Sequence, residues 1–162
     1  MSTIRLKGIV AEDFVNYKKP SLFLISSICN WKCCKEANIP ITICQNNPLI
    51  DKPTKEFSIE SIYTLYMNND ITKAIVIGGL EPFMQFDEFI SLIDYFRKYA
   101  DDDIVIYTGY YEEEIKDKIE LLKQFPNIII KYGRYMPNNS PHYDEILGVN
   151  LISDNQYAEK IS

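Results

Sequence analysis

The sequence predicts an α/β fold, an open, curved and mostly parallel sheet with flanking helices, in the manner of a partial TIM-type barrel. Three observations carry this. Short apolar, β-branched runs recur at Ser21–Ser27, Lys73–Ile77, Asp103–Tyr107 and Asn127–Lys131, as in strands buried on both faces. Helical patterning separates the later runs. Glycine, proline or asparagine punctuation follows each one. Strand–helix–strand repeats at this spacing give βαβ units with right-handed crossovers. Four such strands are too few for a closed eight-stranded barrel.

Taken in order, Ile4–Ile9 alternates weakly and reads as an edge strand or hairpin arm. Ser21–Ser27 is the first buried strand, and a cysteine-rich stretch follows it. Pro48–Pro53 reads as irregular. Ser58 is placed to cap a helix whose Ile59, Ile62, Tyr63 and Tyr66 share one face. Lys73–Ile77 runs into Gly78-Gly79-Leu80-Glu81-Pro82. Asp87 is the expected cap of the next helix, which carries Phe89, Ile93 and Phe96. A third helix is expected from about Tyr111 to Gln124, its acidic opening Glu112, Glu113 and Glu114 suiting the positive helix N-terminus. Tyr132–Ser162 reads as loop with a short terminal element.

The 162 residues make one domain, 1–162, with a core of ordinary size. Hydrophobic residues form 46% of the chain, which argues against disorder. The net charge of -6 lacks the basic face that nucleic acid or a membrane surface would attract. No apolar run reaches the length of a membrane span, and no secretory signal is visible. The expected location is therefore the cytoplasm, where thiols stay reduced and clustered cysteines bind metal rather than form a disulfide framework.

Cys29, Cys33, Cys34 and Cys44 are the only cysteines, and all lie just beyond the first buried strand. Strand ends are where α/β folds place their sites, and thiolates select zinc, copper(I) or iron–sulfur clusters. Zinc suits paired ligands separated by two to four residues. The adjacent Cys33 and Cys34, and the single distant His142, fit that poorly. Three thiolates on an iron–sulfur cluster would leave one iron open, the mark of a reactive site. Glycines at 78 and 79 allow a ligand to approach the backbone closely.

The stretch Cys29-Asn-Trp-Lys-Cys33 resembles the start of the radical S-adenosylmethionine motif Cys-x-x-x-Cys-x-x-Cys, and Cys44-Gln-Asn-Asn-Pro48 resembles its end. Gly78-Gly-Leu-Glu-Pro82 is similar to the Gly-Gly-Glu-Pro motif that binds the methionine amino group. Ile106-Tyr-Thr-Gly-Tyr110, Gly133-Arg-Tyr135 and Ser153-Asp-Asn-Gln156 resemble segments of the anaerobic ribonucleotide reductase activating proteins. The chain departs from the family in two places. Cys44 follows Cys33 by eleven residues, with Glu36 at the family's third cysteine position, and Leu80 is inserted in the glycine motif.

The resemblance implies a 4Fe–4S cluster on Cys29, Cys33 and Cys44; Cys33 and Cys34 compete for the middle place, and Cys33 keeps the family's first spacing. It implies S-adenosylmethionine bound at Gly78, Gly79 and Glu81, helped by Asn46 and Thr108. No side chain is implied as catalytic, because the cluster and S-adenosylmethionine carry the chemistry. A flavodoxin-like donor would supply an electron, and the 5′-deoxyadenosyl radical would take hydrogen from a glycine of a partner reductase. The segment Tyr132–Asn150 is the expected partner contact. Two alternatives stand: a small radical enzyme acting on another peptide or small molecule, and a non-catalytic iron–sulfur or zinc module that binds a partner. Because backbone atoms at the glycine turn are expected to make the ligand contacts, Glu81→Ala is expected to change little. A side chain at Gly79 is expected to fill the ligand's space. Lys131 reads as a snorkelling residue and His142 as a surface loop residue.

Overall fold

The computed structural model describes residues 2–41, 44 and 46–162. Its strands are β1 (Thr3–Asp13), β2 (Ser21–Ser26), β3 (Lys55–Ser58), β4 (Ala74–Gly79), β5 (Asp103–Tyr107), β6 (Ile128–Tyr132), β7 (His142–Asp144), β8 (Val149–Leu151) and β9 (Tyr157–Lys160). Its helices are α1 (Lys32–Ala37), α2 (Ile59–Met67), α3 (Phe86–Arg97) and α4 (Lys116–Leu122).

Seven strands form one sheet in the order β3-β1-β2-β4-β5-β6-β9. The four sequence-predicted strands are its centre: β2, β4, β5 and β6 run parallel in register. The flanks are antiparallel, with β1 on β2, β3 on β1 and β9 on β6. The sheet is therefore mixed, and among the described residues nothing pairs β3 with β9 to close it toward a barrel.

The twofold alternation of each strand sorts the sheet into two faces. Leu22, Leu24, Ile75, Ile77, Ile104, Ile106, Ile128 and Ile130 pack with Ile62 and Tyr66 of α2, Leu92 and Phe96 of α3, and Ile119 and Leu122 of α4. All three crossover helices thus cover one face. The opposite-parity residues Ala74, Val76, Val105 and Ile129 form a smaller cluster with Tyr17, Leu147, Leu151 and Ala158. The antiparallel β7–β8 pair covers only part of that face. Toward the carboxyl ends of the parallel strands the same face carries Phe23, Gly78, Tyr107 and Lys131, which line a cavity.

Local signals explain most boundaries. The Ser58 hydroxyl accepts from the Ser61 N–H at 3.1 Å, capping α2 as expected. Asp87 lies in the first turn of α3 instead of at its cap, because Pro82–Gln85 forms a 3₁₀ turn ahead of it. The expected third helix is split: Glu112–Glu114 is a 3₁₀ turn, and Ile115 at φ -130° leaves helical geometry before α4 begins. Within the expected loop the short strands β7 and β8 form a pair, while β9 is the expected short terminal element and completes the sheet edge. The cysteine stretch contains α1, which the sequence reading missed. No described helix is long and apolar enough to cross a membrane.

Candidate metal centre

The chain leaves β2 at Ser26 and enters α1 through Trp31, which sits in the left-handed region at φ 59°. Asn38, also left-handed at φ 53°, ends α1 after six residues. Its N–H donates to the Lys35 carbonyl, and that of Ile39 to the Cys34 carbonyl at 3.1 Å, which turns the chain back. Cys33 and Cys34 are consecutive helical residues, so their side chains diverge by about 100° and not by the half-turn of an extended chain. Both therefore face the same space. Cys29, Cys33, Cys34 and Cys44 all line one cavity of about 260 Å³.

The carboxyl ends of the parallel strands build the rest of the wall. Gly78, Gly79, Leu80 and Glu81 come from the end of β4, Tyr107, Thr108 and Gly109 from β5, and Lys131 and Gly133 from β6. Asn46, Trp31, Tyr135 and Gln156 complete it from the loops. The Glu81 N–H donates to the Ile28 carbonyl at 2.7 Å, tying the glycine turn to the start of the cysteine loop. Thr108 N–H donates to the Lys131 carbonyl at 2.9 Å, and Gly133 N–H to that of Tyr110 at 3.0 Å.

The structure brings all the sequence-predicted site residues to this cavity: Cys29, Cys33, Cys44, Asn46, Gly78, Gly79, Glu81 and Thr108. Several are committed to protein partners. The buried Glu81 carboxylate accepts from Gly109 N–H at 2.8 Å, Phe83 N–H at 2.9 Å and the Thr108 hydroxyl at 2.9 Å. Burial pushes its pKa up, and those hydrogen bonds and Lys131 oppose that. Glu81 thus pins the ends of β4 and β5 together. Gly79 has φ +88°, and a Cβ there would sit 2.5 Å from Ile25 Cγ2 on β2. Its glycine is required by backbone conformation and packing, not by the space of the cavity.

Lys131 is buried, not snorkelling, and alternation along β6 points it into the cavity face. Its ammonium lies 5.6 Å from the Tyr107 ring centroid and donates to the Gly133 carbonyl at 3.3 Å. Burial lowers its pKa to about 8, opposed by the nearby Glu81 and Cys33. The thiols shift the other way. Burial pushes Cys29 up to about 12 and raises Cys33 and Cys34 as well. The Tyr135 backbone N–H and the Lys131 charge pull Cys33 back down. Metal ligation requires thiolates, so loading this site releases protons and is favoured by the positive charge of Lys131.

A charged clamp fixes the cysteine helix from outside. Arg134, 6% exposed, donates to both oxygens of Glu114 at 2.6 and 2.7 Å and to the Gly109 carbonyl at 3.1 Å. Its guanidinium stacks 4.8 Å over the Tyr111 ring. Glu36 of α1 pairs with Arg134 Nε, outside hydrogen-bonding geometry, and Lys32 of α1 pairs with Glu114. Glu36, at the resembled family's third cysteine position, is thus an ion-pair residue on the outer side of α1. Arg134 and Lys32 hold the Glu114 carboxyl down at about 2.

Among the described residues no three His, Cys, Asp or Glu side chains converge on a single point as a mononuclear ion requires. A 4Fe–4S cluster binds each thiolate at a different iron, and four cysteines lining one cavity supply such a set. A set of cysteines with no histidine on the wall fits the same preference. His142 lies on β7, where its Nε2 hydrogen-bonds the Gln156 carbonyl at 2.7 Å.

The family model described as a 4Fe–4S single cluster domain matches residues 20–150. The chain belongs to this 4Fe–4S single cluster domain family. The match spans the cavity's cysteines, the glycine turn, Lys131 and the clamp residues. No curated protein and no solved structure matches the chain. Sequence reasoning missed Lys131, Gly109, Tyr107 and Tyr135 as site residues. Strand alternation was the signal for Tyr107 and Lys131. Tyr135 and Gly109 act through backbone atoms, which side-chain identity does not reveal.

Proposed function

We propose that this chain is a radical S-adenosylmethionine activating enzyme that installs a glycyl radical on an anaerobic ribonucleoside-triphosphate reductase, with electrons from a flavodoxin-like donor. The observation carrying this reading is the meeting of the cysteines with the Gly78–Gly79 strand end around one cavity, in a member of a 4Fe–4S family. Cys29, Cys33 and Cys44 would hold the cluster. When bound, a 4Fe–4S cluster with one iron free of protein ligands supplies the coordination site and the electron that split S-adenosylmethionine into methionine and a 5′-deoxyadenosyl radical.

The protein's own residues position and shield. Gly78, on the cavity face of β4, and the turn that Gly79 makes possible leave backbone at the β4 end open to a ligand's amino group. Lys131 offers a buried ammonium to a ligand carboxylate. Glu81 and Thr108 hold the β4 and β5 ends in register, and Asn46 closes the wall beside Cys44. Anaerobic reconstitution should give about four iron and four sulfide per chain, and the reduced protein should release 5′-deoxyadenosine. With the partner reductase, a glycyl radical doublet should appear in electron paramagnetic resonance. Cleavage without a radical on any such reductase would favour a radical enzyme acting on another substrate.

A second reading has one observation in its favour. Cys34 also lines the cavity, so four thiolates could close the cluster and make the chain an electron-transfer or partner-binding module. Loss of iron in Cys34→Ala together with absence of cofactor cleavage would select it.

A further inference from the structure

We propose that α1 is a hinged flap over the cysteine cavity, and that Arg134 is the positioning residue that latches it shut. That the flap admits a cluster rests on the cluster reading above; the flap itself does not.

A helix as short as α1 has little stability of its own. It has no side-chain cap at its N-terminus, and Cys34 is its only buried side chain. Apolar packing therefore contributes little to holding it on the body. Its two ends are swivels. Trp31 and Asn38 both sit in the left-handed region, at φ 59° and 53°, a strained state for a residue as bulky as Trp31. Element-terminal residues absorb the backbone rotation of a hinge.

The side-chain pairs that hold α1 down are ionic. Glu36 pairs with the buried Arg134, and Lys32 pairs with Glu114. Arg134 is itself fixed from behind. It donates to both Glu114 oxygens at 2.6 and 2.7 Å, and the Asn155 amide donates to its carbonyl at 2.8 Å. The same guanidinium donates to the Gly109 carbonyl at 3.1 Å. Gly109 is the seat of Cys33, since a Cβ there would lie 3.1 Å from the Cys33 sulfur. Arg134 thus holds the flap at Glu36 and also the backbone on which Cys33 rests. Glu36 and Lys32 are open to solvent, so salt screens this latch.

Cys33 and Cys34 ride on α1, whereas Cys29 precedes the first swivel and Cys44 follows the second. Swinging α1 outward opens the cavity and carries Cys33 and Cys34 with it, without parting the sheet. A cluster assembled elsewhere enters through that opening. The cysteine sulfurs replace the donor's ligands on iron, the thiol protons are released, and no electron moves.

The test uses the full-length, reduced, cluster-free protein and limiting iodoacetamide, with the alkylation rate of each cysteine read by peptide mapping. Lys32→Gln, Glu36→Gln and the double variant remove charge from the exposed side of the latch, and urea unfolding verifies that each folds. The double variant should alkylate Cys33 and Cys34 roughly threefold faster, with Cys29 and Cys44 unchanged. A merely structural role would speed all four together. Raising sodium chloride from about 0.05 to about 1 M should give wild type the same selective rise and leave the double variant unmoved. Arg134→Lys, which keeps the charge and loses the planar fork, should show the rise as well. Equal acceleration at all four thiols, or at none, would overturn the proposal, as would a salt response undiminished in the double variant. Transfer from a preassembled 4Fe–4S donor should run roughly threefold faster into the double variant, to the same final iron content. Selective alkylation with unchanged transfer rates would refute the entry half alone. Selective alkylation with no cluster uptake by any of the proteins would refute the cluster reading while the flap stood. Full uptake without selective alkylation would refute the flap while the cluster reading stood.

Discussion

Replacing Glu81 by alanine should destabilise the fold far more than its place on a glycine turn suggests. Its carboxylate is 5% exposed and takes hydrogen bonds from two backbone N–H groups and the Thr108 hydroxyl, with the Lys131 ammonium nearby. Deletion strands the three hydrogen-bond donors and removes a charge near Lys131. Each stranded donor costs about 1–3 kcal/mol if it stays dry. Water entering the cavity satisfies some of them, so the expected total stays near ~4 kcal/mol, a large share of a typical ~5–15 kcal/mol stability. Glu81→Gln keeps one acceptor oxygen and should lose roughly half of that. Adding Lys131→Met to Glu81→Gln should recover part of the loss, because it removes the uncompensated ammonium. The assay is urea unfolding of the reduced, cluster-free protein, comparing midpoints at constant slope. A Glu81→Ala protein within ~0.5 kcal/mol of wild type would refute the argument that this carboxylate holds the strand ends.

Other outcomes follow from the same geometry. Glu114 is held at about 2 by Arg134 and Lys32, below its ordinary value, so its stabilisation is complete above pH ~4.5 and lost as pH falls toward 2. Glu114→Gln should flatten that acid limb by roughly 1–2 kcal/mol in melts across the window, discounted for partial exposure. Gly79→Ala should cost about 2–4 kcal/mol, from its left-handed φ and the Ile25 clash; Ile25→Ala in the same chain should relieve the clash but not the backbone strain, as urea midpoints would report. Gly109→Ala, with a Cβ 3.1 Å from Cys33 Sγ, should shift the cluster's absorption and reduction potential while moving stability by less than ~1 kcal/mol. Separate Cys→Ala changes should abolish iron loading at Cys29, Cys33 and Cys44 and spare it at Cys34, as measured by iron and sulfide content.

The parts of the fold that the sequence announced are those with repeated, local signals. The four apolar runs became the parallel centre because burial on both faces demands unbroken β-branched stretches. Ser58 became a cap because its hydroxyl meets a free N–H. What stayed hidden depended on long-range pairing. Strands β7 and β8 are three residues each and order by pairing with one another, and the short terminal element was legible without the β6 edge that it joins as β9. Helix α1 has no N-terminal side-chain cap and no long amphipathic period; Arg134, a hundred residues away, anchors it through Glu36.

The candidate site divides the same way. Which residues gather there was legible, because cysteines and glycines at successive strand ends must meet when the strands are parallel neighbours. What each residue does there was less so. A glutamate in a ligand-binding motif reads as a ligand contact until its oxygens are found on Gly109, Phe83 and Thr108. A lysine ending a strand reads as a solvated tip until its parity points it inward. Both misreadings come from treating a side chain's charge as its function. In a buried wall the charges first serve the protein: Glu81 takes the donors at the β4 and β5 ends with Lys131 nearby, while Arg134 and Glu114 hold α1 from outside. Lys131 and Glu81 act on the Cys33 thiol directly and Arg134 reaches it through α1, so perturbing either group of charges should move Cys33.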